Sequence, residues 1–132
     1  MIVRTLDQAS QSKRRITAET WESVRLLLRG DGMGFSLHVT TIHAGTTTHM
    51  WYRHHLEAVL CVEGEGEIEL VDTGTIFPIA PGTMYALNEH DRHILRARTR
   101  LRMVCVFSPA LLGTETHDAS GAYPLDAEVV TD

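Results

Sequence analysis

The sequence predicts an all-β domain, built as a sandwich or a barrel. Three observations support this fold class: short apolar and β-branched runs recur along the chain, glycine-rich breaks separate them, and little of the sequence has helical periodicity. Short strands at this spacing are typical of antiparallel sandwiches and barrels. The predicted strands cover residues 24–28, 35–42, 56–62, 67–71, 75–79, 83–87, 93–97 and 101–107.

The two ends of the chain differ from this pattern. A short helical turn is expected near residues 6–11, with Asp7 as its cap. After Phe107 the sequence becomes small and polar, which predicts an extended tail over 108–132 whose last residues are flexible. A chain of 132 residues fits one domain. We therefore expect a single domain, 1–132, with the sheets over about 20–107 and the tail partly closing them.

Charge and cysteine content narrow the functional class. The net charge is −5 and no basic run exceeds residues 13–15, so neither feature suggests nucleic-acid binding. The N-terminal residues lack a continuous apolar stretch, which predicts neither a signal peptide nor a membrane anchor and favours the cytoplasm. Cys61 and Cys105 each lie in an apolar run. We expect both to be buried thiols, because they lack the close spacing of a zinc knuckle or a redox motif.

Alternation along residues 55–62 assigns side chains to opposite faces of one strand. One face carries His55, Glu57, Val59 and Cys61, and the other carries Leu56, Ala58, Leu60 and Val62. Because both faces are largely apolar, we expect one to meet a second sheet and the other to be covered as well, by a sheet or by another subunit. A carboxylate on such a face is costly unless it is paired or binds a metal.

Three residues form a candidate metal site. Glu57 precedes a glycine turn at residues 63–66 that predicts a β-hairpin, Tyr85 follows Pro81-Gly82, and His93 opens the next predicted strand. A carboxylate, a phenolate and an imidazole suit a divalent ion such as iron, with positions left for substrate. Taken singly, Tyr85 is better explained as a core aromatic and His93 as a hydrogen-bonded core histidine, and only the three residues together favour a metal site.

Longer strings resemble one enzyme family. They are the segments 18–23, 31–36, 55–59, 63–69, 81–87 and 90–93, together with the tail strings 116–118 and 121–125. These strings are similar to those of the ectoine synthases, a family of the cupin superfamily, and the likeness extends over nearly the whole chain. His54 and Met50-Trp51 depart from the family's local sequence.

The resemblance implies a jelly-roll cupin barrel and a lyase activity. The family closes N-γ-acetyl-L-2,4-diaminobutyrate into ectoine with loss of water, as the last step in making this compatible solute. It further implies Fe(II) carried by Glu57, Tyr85 and His93, and a homodimer. Positions matching the family's catalytic residues are Tyr52, His55, Glu115 and His117, and those matching its substrate-binding residues are Trp21, Arg25, Thr40, Leu87 and Phe107. Which residue is the acid and which the base stays open.

Residue patterns support these roles to different degrees. Trp21 and Arg25 share a strand face, so Arg25 is placed to meet a substrate carboxylate, although a surface charge is the alternative. Glu115 and His117 are two residues apart, which in an extended tail puts them on the same side. We therefore expect the tail to close the barrel mouth, with Gly113 as a hinge. A ligand-binding cupin without activity and another cupin enzyme are the competing classes. The first cupin motif usually supplies paired histidines, which would fall near Met50 and Tyr52 here, and their absence disfavours a dioxygenase.

Overall fold

The computed structural model describes residues 1–131, which form one short helix and ten strands in two antiparallel sheets. The elements are α1 (Leu6–Ser10), β1 (Arg15–Thr17), β2 (Trp21–Leu27), β3 (Ser36–Ile42), β4 (Thr47–Trp51), β5 (Leu56–Glu63), β6 (Gly66–Leu70), β7 (Thr75–Ile79), β8 (Met84–Leu87), β9 (Arg92–Ala97) and β10 (Leu101–Ser108), with a 3-10 turn at Arg29–Asp31. The first sheet has the order β1-β2-β3-β10-β5-β8, and the second has the order β4-β9-β6-β7. The prediction of an all-β fold is confirmed.

Strand β5 shows how the sequence pattern produces the core. Its inward side chains alternate with outward ones, so that Val59 and Cys61 are buried while Leu60 is 42% exposed. The strand pairs with β10 on one side and with β8 on the other. Burying alternate apolar side chains between two sheets is the main favourable contribution to such a sandwich. The same alternation turns Glu57 inward.

Four local predictions differ from the structure. Thr5, and not Asp7, caps α1. The Thr5 hydroxyl accepts a hydrogen bond from the Gln8 amide, and the Gln8 side-chain oxygen accepts one from the Thr5 amide. Strands β1 and β4 were not predicted. The turn after β5 is not a hairpin, since β5 and β6 belong to different sheets. Gly64 makes this crossing possible: its φ is 92°, and a Cβ there would collide with the carbonyl of Arg100.

The tail packs against the sheets instead of lying on the surface. Gly113 pairs with Val129, and the Val130 amide donates to the carbonyl of Leu112 at 2.9 Å. Tyr123 and Val130 are buried in the core. Asp132, on which the prediction of a flexible end partly falls, lies outside the described residues.

The outer faces of the two sheets differ in character. On the four-stranded sheet, Arg96 pairs with Glu67 at 3.1 Å and with Glu69 at 2.9 Å, as expected for a solvated charged face. On the six-stranded sheet, Leu56 and Leu60 are each about two-fifths exposed. Over residues 1–131, no helix has the length and apolar character needed to cross a membrane.

Candidate active site

A cavity of about 30 Å³ lies between the two sheets, under the C-terminal tail. Its wall consists of Trp21, Thr40, Ile42, Met50, Tyr52, Glu57, Val59, Tyr85, Leu95, Met103, Cys105, Phe107, His117 and Tyr123. A space of this size holds about two water molecules. The polar groups on this apolar wall are the candidate chemical groups, because buried polar atoms need a partner.

Glu57 and Tyr85 enter this cavity from neighbouring strands. Glu57 lies on β5, and Tyr85 pairs with Val59 of the same strand, so both side chains point to one face. Burial raises the pKa of Glu57 to about 8, although a hydrogen bond from the Cys105 thiol acts in the opposite direction. Burial, followed by the charge of Glu57, also raises the pKa of Tyr85 well above its ordinary value. Without a cation, both groups are therefore protonated at neutral pH.

His93 presents an unpaired nitrogen inside the protein. Its Nδ1 lies 2.9 Å from the carbonyl oxygen of Asp91, and because a carbonyl only accepts, Nδ1 carries the proton. The Nε2 atom of the neutral ring then bears a free lone pair, and it is buried with no partner among residues 1–131. Burial lowers the pKa of His93, and the Asp91 carbonyl and charge oppose this only partly. A histidine held through one nitrogen with the other one bare is the usual form of a metal ligand.

The three predicted ligands are connected through Tyr85. Tyr85 lines the central cavity with Glu57, and it also lines a second cavity of about 160 Å³ with His93. Within the described part of the chain, no three histidine, cysteine or carboxylate side chains cluster as a metal site requires. The candidate set therefore depends on the phenolate as its third donor. The bare His93 nitrogen and the costly buried carboxyl of Glu57 both fit a divalent cation, which would favour the ionised form of Glu57 and Tyr85.

Tyr52 and His117 form a hydrogen-bonded pair on the same cavity wall. The Tyr52 hydroxyl lies 2.8 Å from Nε2 of His117 and 3.2 Å from the sulfur of Met50. Burial lowers the pKa of His117 to about 4, helped by the charge of Arg25. Burial also raises the pKa of Tyr52 well above its usual range. A neutral imidazole bonded to a neutral phenol can accept a proton at one atom and donate one at the other.

Four of the predicted substrate-binding residues lie on cavity walls. Trp21, Thr40 and Phe107 line the central cavity, and the Trp21 ring lies 5.2 Å from that of His117. Leu87 lines the 160 Å³ cavity with His93 instead. Trp21, Thr40 and Phe107 therefore share one cavity, whereas Leu87 does not, and the substrate-binding roles of all four stay predictions.

Arg25 lies in a different environment. It is fully buried and donates to the carbonyl oxygens of Gly113 at 3.0 Å and of Glu115 at 2.7 Å, so it holds the tail. Its Nε atom has no partner among the described residues. The assignment of Arg25 to the substrate carboxylate stays a prediction, since the guanidinium is not part of the described wall of the central cavity.

Glu115 and His55 are not on the described wall of the central cavity. The Glu115 carboxylate accepts the amides of Leu112 at 2.6 Å and Gly113 at 2.7 Å. Together with His55 it lines an outer cavity of about 310 Å³, whereas His117 lines the central one. The tail is not a regular strand here, so the two-residue spacing of Glu115 and His117 does not bring both side chains to one cavity. Their catalytic roles stay predictions.

Sequence reasoning missed three residues at or near the cavity. Cys105 was expected to be only a core thiol, but it lines the cavity 3.7 Å from the Thr40 hydroxyl. Alternation from Phe107 could have identified it. Tyr123 of the tail stacks on Tyr52 with 5.1 Å between ring centroids, and no local pattern indicates that contact. His38 is buried beside Phe107, its Nε2 unpaired within residues 1–131, and alternation from Thr40 places it on this inner face.

Comparison with known proteins gives one consistent family. The model for the family described as ectoine synthase matches residues 1–127. An L-ectoine synthase from Saccharophagus degradans is 56% identical over 132 residues and covers all of both chains. One from Vibrio cholerae is 60% identical over 127 residues, covering 96% of this chain and 91% of the relative.

Solved structures agree on the fold. The crystal structure of ectoine synthase from P. lautus superposes with a TM-score of 0.82 and 58% identity, over 84% of this chain and 80% of that one. A cupin domain of an XRE family transcriptional regulator from Enterobacter cloacae superposes with a TM-score of 0.57 at 13% identity, over 68% of this chain and 97% of that domain, and shows the fold alone. The cupin fold is confirmed, and the chain belongs to the ectoine synthase family.

Proposed function

We propose that this chain closes N-γ-acetyl-L-2,4-diaminobutyrate into ectoine inside the central cavity, as a hydro-lyase. The α-amine nitrogen adds to the acetyl carbonyl carbon, and the carbonyl oxygen departs as water. The observation that carries the proposal is the Tyr52–His117 pair on a wall shared with Glu57 and Tyr85, in a chain of the ectoine synthase family. An amide carbonyl is a poor electrophile, so the reaction needs both activation of the carbonyl and proton transfer.

Activation of the carbonyl is assigned to Fe(II) held by Glu57, Tyr85 and His93. The support is the bare, buried Nε2 of His93 and the position of Tyr85 between the cavities that contain the other two. When bound, the ion would supply a Lewis acid that polarises the acetyl oxygen. The protein contributes a dry wall and fixes the orientation of His93 through the Asp91 carbonyl.

Proton transfer is assigned to Tyr52 and His117. Their hydrogen bond of 2.8 Å lets one group take a proton from the attacking amine while the other returns a proton to the departing hydroxyl. Trp21, Thr40 and Phe107 provide the walls that hold the folded substrate, which supplies the proximity of amine and carbonyl.

The tail controls access to this cavity. Space for about two water molecules cannot hold an acetylated amino acid, so the wall must open for substrate to bind. His117 and Tyr123 are the wall residues that the tail contributes. We infer that the tail moves away, admits substrate and closes again, which would exclude bulk water from a reaction that releases water.

We also propose that the enzyme is a homodimer in the cytoplasm, as the family resemblance implies. The dimer is supported by the outer face of β5, where Leu56, Leu60 and Val62 are each more than two-fifths exposed. Contiguous apolar side chains of this kind mark an interaction surface, and a second copy of the chain is the partner that we assign to it.

The central experiment incubates purified, iron-loaded protein with the acetylated diaminobutyrate and measures ectoine formation. Glu57→Gln, Tyr85→Phe and His93→Gln should each lower bound iron and activity together while the fold is retained. His49→Ala is the matched control, because His49 is an exposed residue of β4 and should keep both. Full iron content in Tyr85→Phe would remove Tyr85 from the ligand set, and absence of ectoine from the wild-type protein would refute the function.

A further inference from the structure

Two candidate catalytic segments are joined by a reciprocal pair of hydrogen bonds. The indole Nε1–H of Trp51 donates to the carbonyl oxygen of His90 at 3.0 Å. In return, Nδ1 of His90 lies 2.9 Å from the carbonyl oxygen of Tyr52, and because that oxygen only accepts, Nδ1 carries the proton. We call these two bonds the Trp51–His90 clamp. They fasten the end of β4 to the loop between β8 and β9.

His90 adopts an unusual backbone conformation to make this contact. Its φ is 53°, and within positions 1–131 it is the one non-glycine residue with a positive φ. The left-handed region is uncommon for residues with a Cβ, and it persists only where surrounding contacts stabilise it. The two bonds of the clamp are such contacts, one at the carbonyl and one at the side chain of the same residue.

The same loop also fixes His93. The carbonyl of Asp91 accepts from Nδ1 of His93, and its carboxylate accepts the amide of Glu89 at 3.3 Å. Asp91 follows His90 directly in the sequence. Its carbonyl accepts from Nδ1 of His93 and therefore leaves Nε2 as the nitrogen without a partner among residues 1–131. A shift of this loop would move the carbonyl that orients His93, and the Tyr52 backbone would lose its partner.

The aromatic side of the clamp is also held in place. The Trp51 ring lies under two guanidinium groups, with Arg53 at 5.0 Å and Arg92 at 4.6 Å from the ring. Cation–π contacts of this kind restrict the orientation of the ring. Trp51 stands directly opposite Arg92 in the pairing of β4 with β9, so the indole is anchored to the strand that also carries His93.

We propose that His90 is a positioning residue for the reaction, which sets Tyr52 and His93 relative to each other through the Trp51–His90 clamp. This inference rests on the proposed roles of Tyr52 and His93. His90 is exposed and not part of the described cavity wall, so it acts on the chemistry only through these two residues.

The test compares His90→Gly with His90→Asn. Glycine tolerates the positive φ and removes the donor, whereas asparagine also visits this region and keeps an N–H donor close to the position of Nδ1. For His90→Gly we expect kcat to fall about tenfold and the dissociation constant for Fe(II), measured against a chelator, to rise about tenfold, as for other groups that orient a ligand. KM should stay near the wild-type value. His90→Asn should restore both quantities to within about twofold, and the exposed His43→Gly serves as the control.

Each outcome decides the inference. Wild-type kcat and iron affinity in His90→Gly would overturn it. A loss that His90→Asn does not rescue, or a loss confined to the melting temperature, would show a merely structural residue and overturn it as well. If His90→Gly does not fold, Trp51→Phe removes the indole donor, keeps an aromatic ring beside the two arginines and should show the same loss of kcat. A wild-type protein that makes no ectoine would instead refute the proposed function before His90 is tested.

Discussion

Replacing Arg25 with alanine should loosen the C-terminal tail and destabilise the whole domain. The substitution removes two bonds from a fully buried guanidinium, to the carbonyls of Gly113 and Glu115. It also removes the cation that lies 3.8 Å from the Glu115 carboxylate. The carboxylate would keep the amides of Leu112 and Gly113 as partners but would lose its neutralising charge.

The magnitude follows from these contacts. A hydrogen bond from a charged donor contributes about 1.5–3 kcal/mol, so two such bonds amount to about 3–6 kcal/mol. Breaking a buried ion pair by removing one partner costs about 3–5 kcal/mol, and this figure overlaps with the first and is not added to it. We therefore expect the free energy of unfolding of Arg25→Ala to fall by about 3–5 kcal/mol. The total free energy of unfolding of a typical domain is about 5–15 kcal/mol, so this loss is a large part of it.

Urea denaturation followed by tryptophan fluorescence measures this change, since the Trp21 ring contacts His117 of the tail. Arg25→Lys is the matched control, because it keeps the charge but cannot donate to both carbonyls in the same forked geometry. Its free energy of unfolding should lie between those of the wild type and Arg25→Ala. Iron content should not change, because Arg25 is not one of the proposed ligands. A loss below about 1 kcal/mol together with a large rise in KM would refute the structural reasoning and assign Arg25 to the substrate carboxylate.

Two further predictions concern pH and assembly. Burial alone would raise the pKa of Asp31, but hydrogen bonds from Arg4 and the Leu28 amide, with the charges of Arg14 and Arg4, hold it below its usual value. The ionised form therefore stabilises the fold above the unfolded pKa of about 3.9, and this contribution is lost as the pH falls through the lower folded pKa. Asp31→Asn should flatten the acid limb of a plot of unfolding free energy against pH, and an unaltered limb would contradict this. For assembly, light scattering should find a wild-type dimer and a shift towards monomer in Leu60→Glu; a wild-type monomer would refute the proposed interface.

The sequence alone determined the strands that carry the candidate metal ligands and their inward direction. Alternation along β5 turned Glu57 into the core, the glycine turn at residues 63–66 marked the end of that strand, and Pro81-Gly82 marked the start of the strand that carries Tyr85. These features are local, because side-chain direction repeats every two residues and glycine or proline fixes where a strand ends. The tail could be recognised as a separate segment for the same reason, through its change in composition.

Only the tertiary structure decided which residues of the sheets meet the C-terminal tail. Arg25 contacts Glu115 across 90 positions of sequence, and Tyr52 bonds to His117 across 65. Both contacts depend on where the irregular tail returns, and no periodic pattern encodes that path. Spacing placed Glu115 and His117 on one side because it assumed a strand, but Glu115 satisfies two amides of its own loop and turns away from the central cavity. A short-range hydrogen bond to the backbone overrode the alternation that held elsewhere.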